Sequence, residues 1–168
     1  MPDCQSEPDL YRRYATDMIV EDNCAVIIGG ITSASREAIR EPVIDRYEQP
    51  YWYCEQYEGG VADKLVFVTG PTPCQQIEPL MPWAIEQYGP KFYTVAADYN
   101  YGWFSADFGE LYGGEAGGEL VGEEFVPLEV SDFTTTLANI QSADPDFILA
   151  LTVGGNHLGF FRQWTAQG

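Results

Sequence analysis

Apolar and polar positions along this chain keep two rhythms, one helical and one extended. Leu10, Tyr14, Ala15, Met18 and Ile19 recur at helical spacing and predict a helix over residues 9–22. Residues 25–28, Ala-Val-Ile-Ile, are continuously apolar, the mark of a strand buried on both faces of a parallel sheet. A helix is predicted from about residue 34 to 47, with Ala38, Ile39, Val43, Ile44 and Tyr47 on its inner side and Pro42 kinking it. Residues 51–54 and 65–68 read as strands, separated by a polar loop that carries Gly59-Gly60.

Residues 69–73, Thr-Gly-Pro-Thr-Pro, are the most linker-like stretch and divide the chain into 1–70 and 71–168. Beyond them a helix over 74–88 ends at Gly89-Pro90, followed by a strand over 92–97 and a helix over 103–112. A glycine-rich turn over 113–118 leads into a strand over 119–127. Ser131 or Asp132 caps a helix through about 140. A buried strand over 146–153 then precedes a last helix from Gly154-Gly155-Asn156 to 166.

The order α-β-α-β-β-α-β-α-β-α-β-α predicts an α/β fold with parallel sheets and helices on both faces. Ligands in such sheets bind beyond the carboxyl ends of the strands. Those ends are residues 29–35, 54–57, 98–102 and 152–156, all rich in hydroxyl, amide or aromatic groups rather than in catalytic charges. The first, Gly29-Gly30-Ile31-Thr32-Ser33-Ala34-Ser35, reads as strand, tight turn and helix N-terminus. Backbone N–H groups and hydroxyls converge there in a way that suits a small polar group, though hydroxyl caps are common on any helix. The first helix has no strand ahead of it and the last has none after it. The expectation is a fragment of a longer two-lobed protein.

Charge narrows the function. Against 8 basic residues stand 26 acidic ones, a net charge of −18 that would repel nucleic acid and anionic lipid. The acids are spread along the chain as a solvated surface, for which a halophilic source is the working hypothesis. With 45% hydrophobic and 14% aromatic residues a packed core can form. No run approaches the roughly 20 apolar residues of a membrane span. Cys4, Cys24, Cys54 and Cys74 lack C-x-x-C spacing, and His157 is the lone histidine, so a zinc site is poorly supplied. Buried free thiols are expected, with a Cys54–Cys74 disulfide open to an extracellular chain. Cys54-Glu55 is half of a nitrilase-like set without its lysine, and neither a G-x-G-x-x-G turn nor a P-loop occurs. Trp83, Trp103 and Trp164 are expected in the core, Glu58 in solvent, and Tyr53, Tyr99 and Tyr101 in core or rim.

Several stretches carry a resemblance: Gly29-Gly30-Ile31-Thr32-Ser33-Ala34-Ser35-Arg36-Glu37-Ala38, Gln56-Tyr57-Glu58-Gly59, Cys74-Gln75-Gln76, Asp98-Tyr99-Asn100-Tyr101-Gly102, Gly122-Glu123-Glu124-Phe125-Val126-Pro127-Leu128 and Ala143-Asp144-Pro145-Asp146. In these the chain resembles the type I periplasmic binding proteins of ABC importers, in the branch of branched-chain amino-acid, amide and urea receptors. Tyr57-Glu58-Gly59 and the Glu-Glu-x-x-Pro-Leu strand are more similar to the urea and short-amide receptors. The resemblance implies two Rossmann-like lobes that close on a solute, with residues 69–73 as one hinge strand. It implies that Ser33 and Ser35 hydrogen-bond the ligand's polar head from lobe one. Tyr53 and the backbone around Glu55 line the same wall, Tyr101 closes over the ligand from lobe two, and Thr152 lies nearby. Ile31 and Glu55 depart from residues frequent in the amide receptors.

The implied function is capture of urea, a short amide or a branched-chain amino acid for a membrane permease. It involves no covalent chemistry and no cofactor, metal or nucleic acid. The implied location is periplasmic or extracellular, with a lipid anchor on the full-length protein. An amide-sensing domain of a regulator is the same-fold alternative, and an amide hydrolase the different-class one.

Overall fold

The computed structural model describes residues 2–167. The chain folds as two compact units, Met1–Thr72 and Pro73–Gly168.

The first unit holds helix α1 (Pro8–Val20), strand β1 (Ile27–Ile28), helix α2 (Ser33–Arg40), strand β2 (Tyr51–Tyr53) and strand β3 (Val66–Val68). The strands form a parallel sheet in the order β1-β2-β3, with Ile27 beside Tyr51 and Tyr51 beside Val66. Ile27, Tyr51 and Tyr53 face Ala15 of α1, Ile39 of α2, and Val43 and Ile44. The expected kink at Pro42 is instead a π-helical turn, Glu41–Arg46, that continues α2. Proline has no N–H for a helical bond, and the wider turn passes the chain on with Tyr47 N–H donating to the Pro42 carbonyl.

The other face of this sheet corrects the expectation of a strand buried on both sides. Ile28, Trp52 and Phe67 lie in register across it; Ile28 is 67% and Phe67 40% exposed. Trp52 and Phe67 stack with centroids 4.1 Å apart, burying each other in part. Among the described residues the helices of this unit pack on the Tyr51 side alone.

The second unit runs α3 (Pro73–Tyr88), β4 (Lys91–Ala97), α4 (Asn100–Glu115), β5 (Glu119–Val126), α5 (Thr134–Ala143), β6 (Phe147–Leu151) and α6 (Gly155–Gln167). Its parallel sheet is ordered β5-β4-β6, so β4 is central and both its faces are covered. Phe92 and Ala96 pack with Ile77 and Met81 of α3 and Ala106 of α4. Tyr93 and Val95 pack with Phe133, Leu137 and Ile140 on one side and Phe160 of α6.

Here α4 begins earlier and ends later than its glycines suggest. Gly102 packs against the Ala97 carbonyl, and Gly113 against the Phe92 ring and Met81, so both are close-approach residues inside a helix rather than breakers. Three further expectations are corrected. The four cysteines are free thiols, with Cys54 and Cys74 exposed, so neither burial nor the disulfide holds for that pair. Trp83, Trp103 and Trp164 are exposed; Trp83 sits edge-on to Tyr88, and the Trp103 indole N–H donates to Asp98 Oδ1 at 2.9 Å. Amphipathic rings lie at the surface where helical spacing alone places them inside. Among the described residues no helix is long and apolar enough to cross a membrane.

Candidate functional site

The glycine turn after β1 is built by its own hydroxyls. Gly30 has φ +82°, and a Cβ there would meet the Tyr51 hydroxyl at 2.9 Å, so backbone and space both demand glycine. Tyr51 donates its hydroxyl to the Gly29 carbonyl and Tyr53 to the Ile31 carbonyl, each at 3.0 Å. Thr32 is the N-cap of α2: its Oγ1 accepts from Ser35 N–H at 3.1 Å. Ser35 Oγ in return accepts from Ile31 and Thr32 N–H at 3.0 Å and donates to the Thr32 carbonyl at 2.8 Å. This reciprocal box satisfies donors that a helix start leaves orphaned.

Of the residues singled out in the sequence, Ser33, Ser35 and Tyr53 meet here, each 2% exposed or less. Glu55 stands exposed at the end of β2, its carbonyl packed against Gly70. Burial pushes the Tyr53 hydroxyl up to about 12, against the pull of the nearby Arg36 charge.

Below the turn lies a group that periodicity did not reveal. Arg36, 2% exposed, meets Glu58 through two parallel bonds, Nη2 to Oε1 at 2.7 Å and Nη1 to Oε2 at 3.0 Å. The Glu58 side chain, expected in solvent, has 0% exposure. Burial pushes the Glu58 carboxyl up, but hydrogen bonds from Arg36, its own backbone and the Ser33 hydroxyl outweigh it and hold the group below the usual range. The guanidinium carbon lies 5.1 Å from the Tyr53 ring centre and 5.2 Å from that of Tyr57. One signal was available. Arg36 falls on the inner face of α2 with Ser33, Ala38 and Ile39, and a cation there requires an acid.

The strand ends of the second unit are built from different parts. Tyr99 precedes α4 as its N-cap; Asn100 and Tyr101 open the helix, and the two tyrosine rings lie 6.1 Å apart. At the end of β6, Thr152 is 8% exposed and its Oγ1 lies 2.8 Å from His157 Nδ1. Asn156, fully buried, accepts from Val153 N–H at 2.9 Å and so shapes the turn into α6. Tyr101 and Thr152 thus sit at the carboxyl ends of β4 and β6, as their sequence positions require. Three open clefts, of about 640, 500 and 390 Å³, lie beside other residues, and none is lined by any of the six candidates.

A family model described as a periplasmic binding protein domain matches residues 1–168. The chain belongs to that family. Its fold recurs in solved solute-binding proteins. One, an ABC-transporter solute-binding protein from Rhodopseudomonas palustris BisB5 in complex with 3,4-dihydroxybenzoic acid, is 25% identical with a TM-score of 0.84 over 99% of this chain and 46% of that one. An amino-acid ABC transporter substrate-binding protein from Pseudomonas fluorescens Pf-5 is 19% identical with a TM-score of 0.85, over 99% and 46%. A branched-chain amino-acid transporter protein from R. palustris CGA009 is 26% identical with a TM-score of 0.62, over 99% and 47%. The chain therefore spans less than half the length of these proteins. Its parallel α/β sheets are those of the periplasmic binding protein fold.

Proposed function

We propose that this chain belongs to an extracytoplasmic receptor that captures urea or a short amide, or a branched-chain amino acid, for an ABC importer permease. Ser33, Ser35, Tyr53 and Glu55 serve in the first unit and Tyr101 and Thr152 in the second. Residues 69–73 act as a hinge strand. Binding proceeds without covalent chemistry.

One observation carries the choice of ligand: among the described residues the strand ends carry hydroxyl and backbone groups, those of Ser33, Ser35, Tyr53 and Thr152 already hydrogen-bonded within the chain, and no uncommitted cation. In the first unit Arg36 is neutralised by Glu58, and Arg12, Arg13 and Arg40 each pair with an acid. Arg46 and Lys64 precede β2 and β3, at the opposite ends of those strands. In the second unit, Lys91 sits at the opposite end of β4, and Arg162 lies in the third turn of α6. Among the described residues a benzoate-like anion finds no side-chain counter-ion and, like an amino-acid carboxylate, only the N–H groups of a helix start, whereas an amide needs only neutral donors and acceptors. A zwitterionic amino acid places its carboxylate at the N–H groups of a helix start.

Calorimetry and thermal shift with urea, acetamide, leucine and benzoate test this reading. An amide or leucine at 100 times its dissociation constant should add about 2.7 kcal/mol of stability, and benzoate nothing. Tight benzoate binding without amide or leucine binding would overturn it. The acid surplus carries a separate proposal, a halophilic source. The unfolding midpoint should then rise in molar KCl, and an unchanged midpoint counts against it.

A further inference from the structure

The stretch after β2 has the composition of a mobile loop, yet one side chain in it is among the most deeply buried of the chain. Residues 54–65 form neither helix nor strand. Gly59 and Gly60 take left-handed φ values of +103° and +85°, with open space where a Cβ would stand. Cys54, Glu55, Gln56 and Gly60 are exposed, while Glu58 is enclosed. What encloses it is Arg36, from the first turn of α2, 22 residues earlier, with the Ser33 hydroxyl of the same turn also on its carboxylate.

The geometry is that of a clamp. A guanidinium fork on a carboxylate fixes both the distance and the plane of its partner, which a single lysine contact does not. Here the fork is held in turn: Arg36 Nε lies 3.2 Å from Glu37 Oε1, and the Tyr53 and Tyr57 rings flank the cation. The loop has further ties, from Tyr57 N–H to the Pro71 carbonyl at 3.1 Å and between the Tyr57 hydroxyl and the backbone of Val61. Neither of these reaches α2.

Burying both charges gives little net stability, since the desolvation of the ions offsets their attraction; what such a pair provides is register. We propose that Arg36 and Glu58 are positioning residues that lock residues 55–60 against the first turn of α2, so that the strand-end surface of this unit is already formed before a solute arrives. The link to a solute rests on the proposed receptor function, but the lock itself does not. Preformed surfaces lose less ordering entropy when they bind, which gives the lock a use.

Amide hydrogen exchange on the chain tests it without any ligand, so its failure would leave the receptor reading standing. In the unaltered chain, amides of residues 56–61 should exchange at least tenfold more slowly than in an unstructured peptide. Loop amides exchanging at the peptide rate would overturn the proposal. In the double variant Arg36→Met with Glu58→Met, which replaces the pair by apolar chains of similar length, the same amides should exchange roughly tenfold faster while those of β2 stay within about twofold. A merely structural pair would instead speed loop and strand together, and that result, or unchanged loop protection, overturns the lock. Arg36→Lys supplies a second variant that keeps the charge but not the fork. It should loosen the loop by an intermediate factor, and full protection there would show that charge alone suffices, against the proposal.

Discussion

The two units solve the same packing problem with opposite means. The second buries its sheet on both faces, with Phe92 and Met81 at no exposure on one side and Phe133 and Phe160 at 1% or less on the other. It has two basic residues, Lys91 and Arg162, and no ion pair among the described residues; its polar ties are hydrogen bonds such as Tyr93 to Glu124 and Gln163 to the Ser131 carbonyl. The first unit has strands of two or three residues, one open sheet face, and every ion pair found among the described residues. Where apolar burial is thin, specific polar contacts define the geometry. Burial is roughly additive in area and tolerant of small shifts, whereas a buried ion pair tolerates almost none.

The sharpest way to break this contrast is to truncate matched rings. Phe92→Ala removes a fully buried ring packed against Phe147 and should cost about 3–5 kcal/mol, seen as a lower denaturant midpoint. Phe67→Ala, on the open face of the first unit, should cost about 1 kcal/mol or less, since that ring is already 40% exposed. Equal losses would mean that the open face is covered in solution. Next in size is Glu58→Gln, which leaves the Arg36 cation buried without its counter-charge. The expected cost is about 3 kcal/mol, confined in hydrogen exchange to the first unit.

Most elements were legible in the sequence because their periodicity is strong. Among the described residues the six α-helices and six strands occur in the predicted order, with the π-helical turn added after α2, and the long apolar runs of 92–97 and 146–153 became β4 and β6. The errors fall where a residue type has two physical uses. Gly102 and Gly113 read as breakers but serve as contacts, and three tryptophans at apolar spacing lie at the surface. Site chemistry was less legible. The strand-end position of Ser33, Ser35, Tyr53, Tyr101 and Thr152 follows from topology alone. That Ser35 is committed to the turn, and that Arg36 reaches Glu58, depends on side-chain partners 3 and 22 residues away, which periodicity does not encode.

Acid should act on the two units through different groups. Arg36 and Ser33 hold the Glu58 carboxyl below its ordinary 4.5 despite burial, so the stability it adds is fully present above that pH. That contribution is lost as pH falls through the lower folded value. The protection factors of residues 56–61, taken against the peptide rate at the same pH, should therefore fall as pH drops below the ordinary carboxylate value, and the Arg36→Met, Glu58→Met variant should show no such step. Glu124 behaves alike in the second unit, held down by Asn139, Thr136 and Tyr93 against partial burial. An acid step located at β5 alone would shift the pH sensitivity to the second unit and contradict the lock.

The smallest effect separates two roles at the glycine turn. Thr32→Ala removes the acceptor for Ser35 N–H and should cost about 1 kcal/mol of helix stability. Ser35→Ala removes a hydroxyl that accepts from two backbone N–H groups and donates to a third partner, so the turn itself should loosen as well. In exchange, Thr32→Ala is expected to affect the amides of the first turn of α2 only, and Ser35→Ala those of Ile31 and Thr32 too. If both variants loosen the same amides equally, the box acts as one cooperative unit. Ser35 could then not be freed to meet a ligand without unwinding the start of α2, and the polar head would have to be met from this wall by the backbone and by the acceptor lone pairs of Ser33, whose hydroxyl already donates to Glu58.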